Sequence, residues 1–172
     1  MKTLIQKHTA SFVPHLIPAV LLLILAGCGF HLKGYQQVSP ALNGLYVIGG
    51  ERRGTLAGVV QLNLRSAGVE LAADPESARY RLQILREEVR SRVLSVDANG
   101  KALDSELQLL AAYRLTRADG GEPFEESLEL VRQLSYSGTD ELGQRNETTL
   151  MSEDMRSDLA NQIIRQLQAR LK

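Results

Sequence analysis

The chain has a single cysteine, Cys28, so an internal disulfide is impossible. It has three histidines, and His8 and His15 precede that cysteine, leaving only His31 after it. So few imidazoles almost exclude a multi-histidine metal site or imidazole acid–base catalysis. Neither sign of charge is in excess, with 20 basic residues against 20 acidic ones. Because Lys2 and Lys7 precede Cys28, a product beginning at the cysteine keeps 18 basic residues and a net charge of −2, which disfavours broad capture of nucleic acid. No G-x-S-x-G elbow, H-E-x-x-H helix or Cys/His cluster occurs, so an anchored hydrolase lacks every motif it needs. The 172 residues hold one ordinary domain and a processing segment, and their 44% hydrophobic content is that of a globular chain.

One long apolar run is present, Leu16 to Ala26, behind a stretch carrying Lys2 and Lys7 and no acid. Its length fits the core of a signal peptide and falls short of the about 20 apolar residues that span a bilayer. The run ends Leu25-Ala26-Gly27-Cys28, which resembles the lipobox of bacterial lipoproteins, where small residues admit the backbone to the signal peptidase and the thiol carries diacylglycerol. An ordinary signal peptide or a membrane anchor is the alternative. Lipidation would consume a thiol that is otherwise a liability in an oxidising periplasm. Acyl chains contribute about 0.8 kcal/mol per buried CH₂, so a multiply acylated terminus holds firmly. By the same resemblance, the lack of Asp at Gly29 favours the outer membrane. The expected organisation is a signal peptide over 1–27, a lipid-anchored tether over 28–44 and one domain over 45–172, with no cofactor beyond the covalent lipid on Cys28.

Within the domain, Leu45-Tyr46-Val47-Ile48 predicts a first strand. Leu56, Val59, Val60 and Ala67 then recur at helical spacing, with Thr55 placed to cap the start and Gly68 the end. The Gly49 to Gly54 turn invites a phosphate cradle, but a dinucleotide fingerprint needs glycine at Glu51 and a P-loop needs lysine before Thr55, so a tight strand-to-helix connection is expected. Val69-Glu70-Leu71 looks like the opening of another strand. From Arg79 onward the apolar positions alternate, and the doublet Ile84-Leu85 shifts the phase, which predicts a bulge. A three-residue reversal, Ala98-Asn99-Gly100, pairs odd positions with odd ones and sets Val89 against Leu109 and Arg92 against Glu106. Asp119-Gly120-Gly121 reverses the chain again into a strand with Phe124, Leu128, Leu130, Leu134 and Tyr136 on one face. After a loop from Ser137 to Arg145, the stripe Met151, Met155, Leu159, Ile163 and Leu167 predicts a long helix lying on the sheet. The order β-α-β-β-β-α gives an α+β two-layer sandwich, two helices on one face of a mostly antiparallel four-stranded sheet. Each long strand is expected to have one apolar face, and Glu87-Glu88 reads as solvated strand surface.

The segment Cys28-Gly29-Phe30-His31-Leu32-Lys33-Gly34 resembles the mature start of the LptE family of LPS-assembly lipoproteins. Ser66 to Leu71, the hairpin Val96-Asp97-Ala98-Asn99-Gly100-Lys101-Ala102 and the terminal helix with Asp154-Met155 resemble the family in the same order. The resemblance implies a non-enzymatic outer-membrane lipoprotein that plugs the LptD β-barrel, assists its assembly and binds lipopolysaccharide through basic residues near the hairpin tip and before the last helix. On this chain those positions are Lys101, Arg145 and Arg92, although Ala98 stands where a basic residue would match best and Arg92 has a competing partner in Glu106. The alternative is an accessory lipoprotein of a periplasmic ABC-type lipid-transport system. A soluble chain without Cys28 is expected to fold and bind, because the anchor adds attachment and no core; loss of its cooperative unfolding would contradict the boundary at residue 44.

Overall fold

The computed structural model describes residues 38–136 and 141–171. The leader, Cys28 and the tether up to residue 37 lie outside them. The described chain forms β1 (Leu45–Ile48), α1 (Leu56–Ser66), β2 (Tyr80–Val96), β3 (Ala102–Arg117), β4 (Phe124–Ser135) and α2 (Glu141–Arg170), after a short 3-10 turn over Pro40–Leu42. The strands lie in the order β1-β2-β3-β4. β1 runs parallel to β2 across the α1 crossover, and the other neighbours are antiparallel, so the α+β sandwich stands as the alternation predicts. Leu42 in the 3-10 turn is fully buried, so the packed body reaches upstream of the first strand.

Local chemistry accounts for both ends of α1. The Thr55 hydroxyl accepts from the Gly58 amide at 3.2 Å, and Gly68 takes φ +78° just beyond the last turn. Gly58 has a second reason to be glycine: a Cβ there would stand 2.1 Å from the Arg52 carbonyl oxygen, so its absence lets the 49–54 turn close onto the helix. That turn holds no phosphate cradle. The Leu56 amide at the helix start donates to Glu87 Oε2 at 2.8 Å, so a carboxylate of the chain itself occupies the place an anion would take.

β3 is the centre of the sheet. Its odd positions Leu107, Leu109, Ala111, Tyr113 and Leu115 are buried in one core with Leu56, Val60 and Leu64 of α1, which packs on β1 and β2, and Met155, Leu159, Ile163 and Leu167 of α2, which packs on β3 and β4. Tyr113 donates its hydroxyl to Gln166 Oε1 at 2.9 Å, so the largest core side chain keeps its one polar atom satisfied. Burial pushes that phenol up to about 12, helped by the Glu126 carboxylate and opposed by the Arg170 guanidinium. The neutral form is favoured on folding, so this contribution to stability is complete below the ordinary phenol range and is lost as pH rises towards 12.

The register follows the predicted bulge. Leu82 pairs with Leu115 and Ile84 with Tyr113, then the pairing shifts so that Arg86 faces Ala112 and Val89 faces Leu109. The Ala98-Asn99-Gly100 loop is closed by Asp97 N to Lys101 O at 2.8 Å and Gly100 N to Asp97 O at 3.0 Å, with Gly100 at φ +79°. A further irregularity between Val93 and Val96 was not legible in the alternation.

Four expectations are corrected. Val69-Glu70-Leu71 is coil, held to the start of β1 by Gly44 N to Glu70 O at 2.8 Å and Ala72 N to Leu45 O at 3.0 Å; Asp74-Pro75 turns the chain before a ladder can extend. Arg145 does not lie in a loop, because α2 begins at Glu141 and an Arg145 to Glu141 ion pair four residues apart supports its first turns. The distal half of β2 has no covered apolar face, since the helix layer lies over β3 and leaves Val89, Val93 and Val96 exposed. Glu87 is not solvated surface: it accepts from Leu56 N and from Arg156 Nε at 2.6 Å, with side-chain exposures of 20% for Glu87 and 22% for Arg156.

Glu87→Ala is expected to lower stability by about 1–3 kcal/mol, because it strands a largely covered guanidinium and a helix-start amide; a urea midpoint unchanged from the parent would contradict the clamp. Deleting Leu85 is expected to leave the arginine row on the open face and to change thermal unfolding little, because removal of the extra residue closes a regular ladder in which Ile84 still faces Tyr113 and Arg86 still faces Ala112. A large drop in the midpoint of thermal unfolding for the deletion would contradict this register.

Candidate functional site

The face of the sheet opposite the helices carries most of the charge of the β layer, while Glu87 and Arg132 on the other face pair with Arg156 and Asp158 of α2. After the bulge, β2 presents Arg86, Glu88, Arg90 and Arg92 there, β3 presents Glu106, Gln108 and Leu110, and β4 presents Glu125, Glu129 and Gln133. Cations thus gather along β2 and carboxylates along β4. Glu88 accepts from Arg90 Nε at 2.6 Å and from Arg86, and these bonds hold its carboxyl down to about 2. Arg92 meets Glu106 at 3.2 Å, as the odd-with-odd register requires, and Gln108 donates to Glu129. Arg90, Ser91, Arg92, Glu106 and Gln108 line an open concavity of about 330 Å³ beside β2. At the far end of β3 and β4, Arg114 pairs with Glu125 at 2.6 Å.

The hairpin end is ordered by carboxylates. Asp97 accepts from the Lys101 and Asn99 amides at 2.9 and 2.8 Å, bonds that lower its carboxyl, with the Lys101 amide the main cause. Asp104 accepts from Ser95 and, at 2.7 Å, from Ser135, so one acid ties β2, β3 and β4 together below the loop and is itself lowered, chiefly by Ser95. Gln144 of α2 donates to the Ala102 carbonyl at 3.4 Å, and Tyr136 N to Leu103 O closes at 2.8 Å. The start of α2 therefore rests against the base of the hairpin loop.

The candidate residues fall into two groups. Lys101, in the loop closure, and Arg145, on the second turn of α2, are brought to one end through the Gln144 to Ala102 contact. Arg92 lies lower on the open sheet face and belongs with Arg86, Glu88 and Arg90. Cys28 is outside the described residues. Arg86 and Arg90 were missed by the sequence reading, although the even-position row Arg-x-Glu-x-Arg-x-Arg after the bulge held the signal. No helix among the described residues is long and apolar enough to cross a membrane.

The family model for LptE, lipopolysaccharide-assembly, matches residues 42–167, which takes in both helices' packed faces, the whole sheet and the hairpin. This chain belongs to the LptE family. It is 28% identical over 153 residues to the LPS-assembly lipoprotein LptE of Photorhabdus laumondii, covering 88% of this chain and 83% of that protein. The LptE of Yersinia enterocolitica is 25% identical, with 88% and 73% covered. The fold is also that of rare lipoprotein B from Shewanella oneidensis, at TM-score 0.62 and 18% identity over 73% of this chain and 92% of that one. Lipoprotein B from Nitrosomonas europaea superposes at TM-score 0.56 and 24% identity, covering 67% and 76%. Membership of LptE makes the chain a non-enzymatic lipoprotein of lipopolysaccharide assembly.

The Glu88 carboxyl is expected to titrate near 2 in a carbon-detected NMR titration and to move up when Arg90 is replaced by Gln. Because its pKa is depressed on folding, whatever Glu88 adds to stability is present above the ordinary carboxylate range and fades as pH falls towards 2. A Glu88 that titrates like a free glutamate would show that the Arg86–Glu88–Arg90 row does not persist in solution.

Proposed function

We propose that this protein is anchored through a lipid on Cys28 at the outer membrane, plugs and helps assemble an LptD-like β-barrel, and binds lipopolysaccharide at its hairpin end. The observation that carries this reading is the family match across residues 42–167, on a chain whose Leu25-Ala26-Gly27-Cys28 resembles a lipobox. Physical chemistry supports it. One sheet face is packed by helices and the other is charged, which suits a polar lumen better than lipid. A carboxylate-braced hairpin reaching away from the core presents Lys101, and the α2 start presents Arg145, both suited to lipid A phosphates. Arg92 is the weaker of the three contacts because Glu106 already engages it. No cofactor beyond the covalent lipid enters the proposal.

Affinity purification of the tagged, lipidated protein from solubilised outer membranes is expected to recover a roughly stoichiometric large β-barrel. Lys101→Glu with Arg145→Glu is expected to weaken lipopolysaccharide capture about tenfold, the scale of losing charge-assisted contacts, while leaving barrel recovery and fold unchanged. Recovery of an inner-membrane transporter in place of a barrel would move the protein to accessory lipid transport.

A further inference from the structure

β1 covers only the start of β2. Its four residues pair with Tyr80, Arg81, Leu82 and Gln83, and β2 continues to Val96 with no strand on that side among the described residues. Register shifts at Leu85 and Leu94 bound residues 86–93, an uninterrupted run that is straight against β3 and open on its other edge. Two rows of side chains flank this edge. On the open face stand Arg86, Glu88, Arg90 and Arg92; on the helix side stand Val89 and Val93, 38% and 54% exposed because neither helix reaches them. An open edge of backbone donors and acceptors with an apolar row on one side is an incomplete sheet.

We propose that residues 86–93 accept one added strand, an extended segment of a partner protein that places carboxylates against the arginine row and apolar side chains over Val89 and Val93. The charge decides the occupant. Arg86 and Arg90 share Glu88 and Arg92 meets only Glu106 across the strand, so three arginines face two carboxylates and an incoming acidic strand finds cationic partners directly opposite. A second copy added with its helices on the same side gains less than an acidic strand, since it sets Arg86 opposite Arg92, offsetting the Glu88 to Arg90 pairs of that register, or sets Arg90 opposite itself. If the arginines served only to repel added strands, the edge would take neither an acidic nor a basic peptide. The inference deepens the barrel reading, since it names the surface through which a partner would be held, and its test needs no barrel.

Hydrogen exchange of the full lipidated chain in detergent micelles, with an octapeptide of four Glu-Val repeats as probe, reads the edge directly. Amides within 86–93 are expected to slow about tenfold with this peptide and hardly at all with four Lys-Val repeats, as new ladder bonds form. Reversing Arg86, Arg90 and Arg92 to Glu is expected to exchange the two peptides' behaviour. Val93→Lys, which leaves every arginine in place, is expected to weaken the protection independently. Equal slowing by both peptides, slowing confined to other segments, amides already protected in the free chain, or a concentration-dependent dimer would each overturn the proposal. Failure to recover a barrel from membranes bears only on the proposed function, because the peptide experiment does not involve it.

Discussion

The inward row of β3 is the constraint on which the rest of the structure depends. β3 is paired along nearly its whole length on both sides, and the row from Leu107 to Leu115 lies in the middle of the core, with α2 packed on it and α1 beside it over β1 and β2. A strand buried on one face alone must keep apolar residues on that face and polar ones on the other. The chain thereby acquires a packed side that secures the fold and a charged side that no helix among the described residues covers. The core is supplied by Leu, Ile, Val, Ala, Met155 and one satisfied tyrosine, so no charge is needed to hold the two layers together at their centre.

The bulge at Leu85 distributes charge between those two sides. Before it, Tyr80, Leu82 and Ile84 face the helices; after it, the odd positions do. Were the ladder to run on with no shift, Leu85 would pair with Ala112 and the row Arg86, Glu88, Arg90 and Arg92 would point into the helix layer, where unpaired charges are costly. With it, those four line the open face and Glu87 alone turns inward, where Leu56 N and Arg156 meet its two oxygens. One glutamate so joins β2, the start of α1 and the middle of α2. Local irregularity here is a structural device: it links the helix layer to the sheet and prepares a charged surface in the same step.

Much of this was legible in the sequence, for identifiable reasons. Period-two alternation located β2, β3 and β4, the Ile84-Leu85 doublet marked the bulge, and parity about Asn99-Gly100 fixed the pairing of Val89 with Leu109. The Thr55 cap and Gly68 stop likewise bounded α1. What escaped depended on distance in space. The role of Glu87 needs Arg156, 69 residues away, and alternation cannot show that. The exposure of Val89 and Val93 depends on how far the helices reach, which an apolar pattern does not encode. The early start of α2 is not legible either: Gly143 and Asn146 are weak helix formers, and the Glu141 pair and the contact of Gln144 with Ala102 hold that turn helical.

The central claim is that a lipoprotein of lipopolysaccharide assembly uses the uncovered side of its sheet to meet a β-barrel. A photoreactive residue in place of Gln108, at the middle of the open face, tests it most directly when crosslinked in intact cells. The account predicts one dominant adduct with a large outer-membrane β-barrel protein. Crosslinks to inner-membrane transport proteins alone, or no protein adduct from that position in a fully folded and lipidated chain, would contradict it.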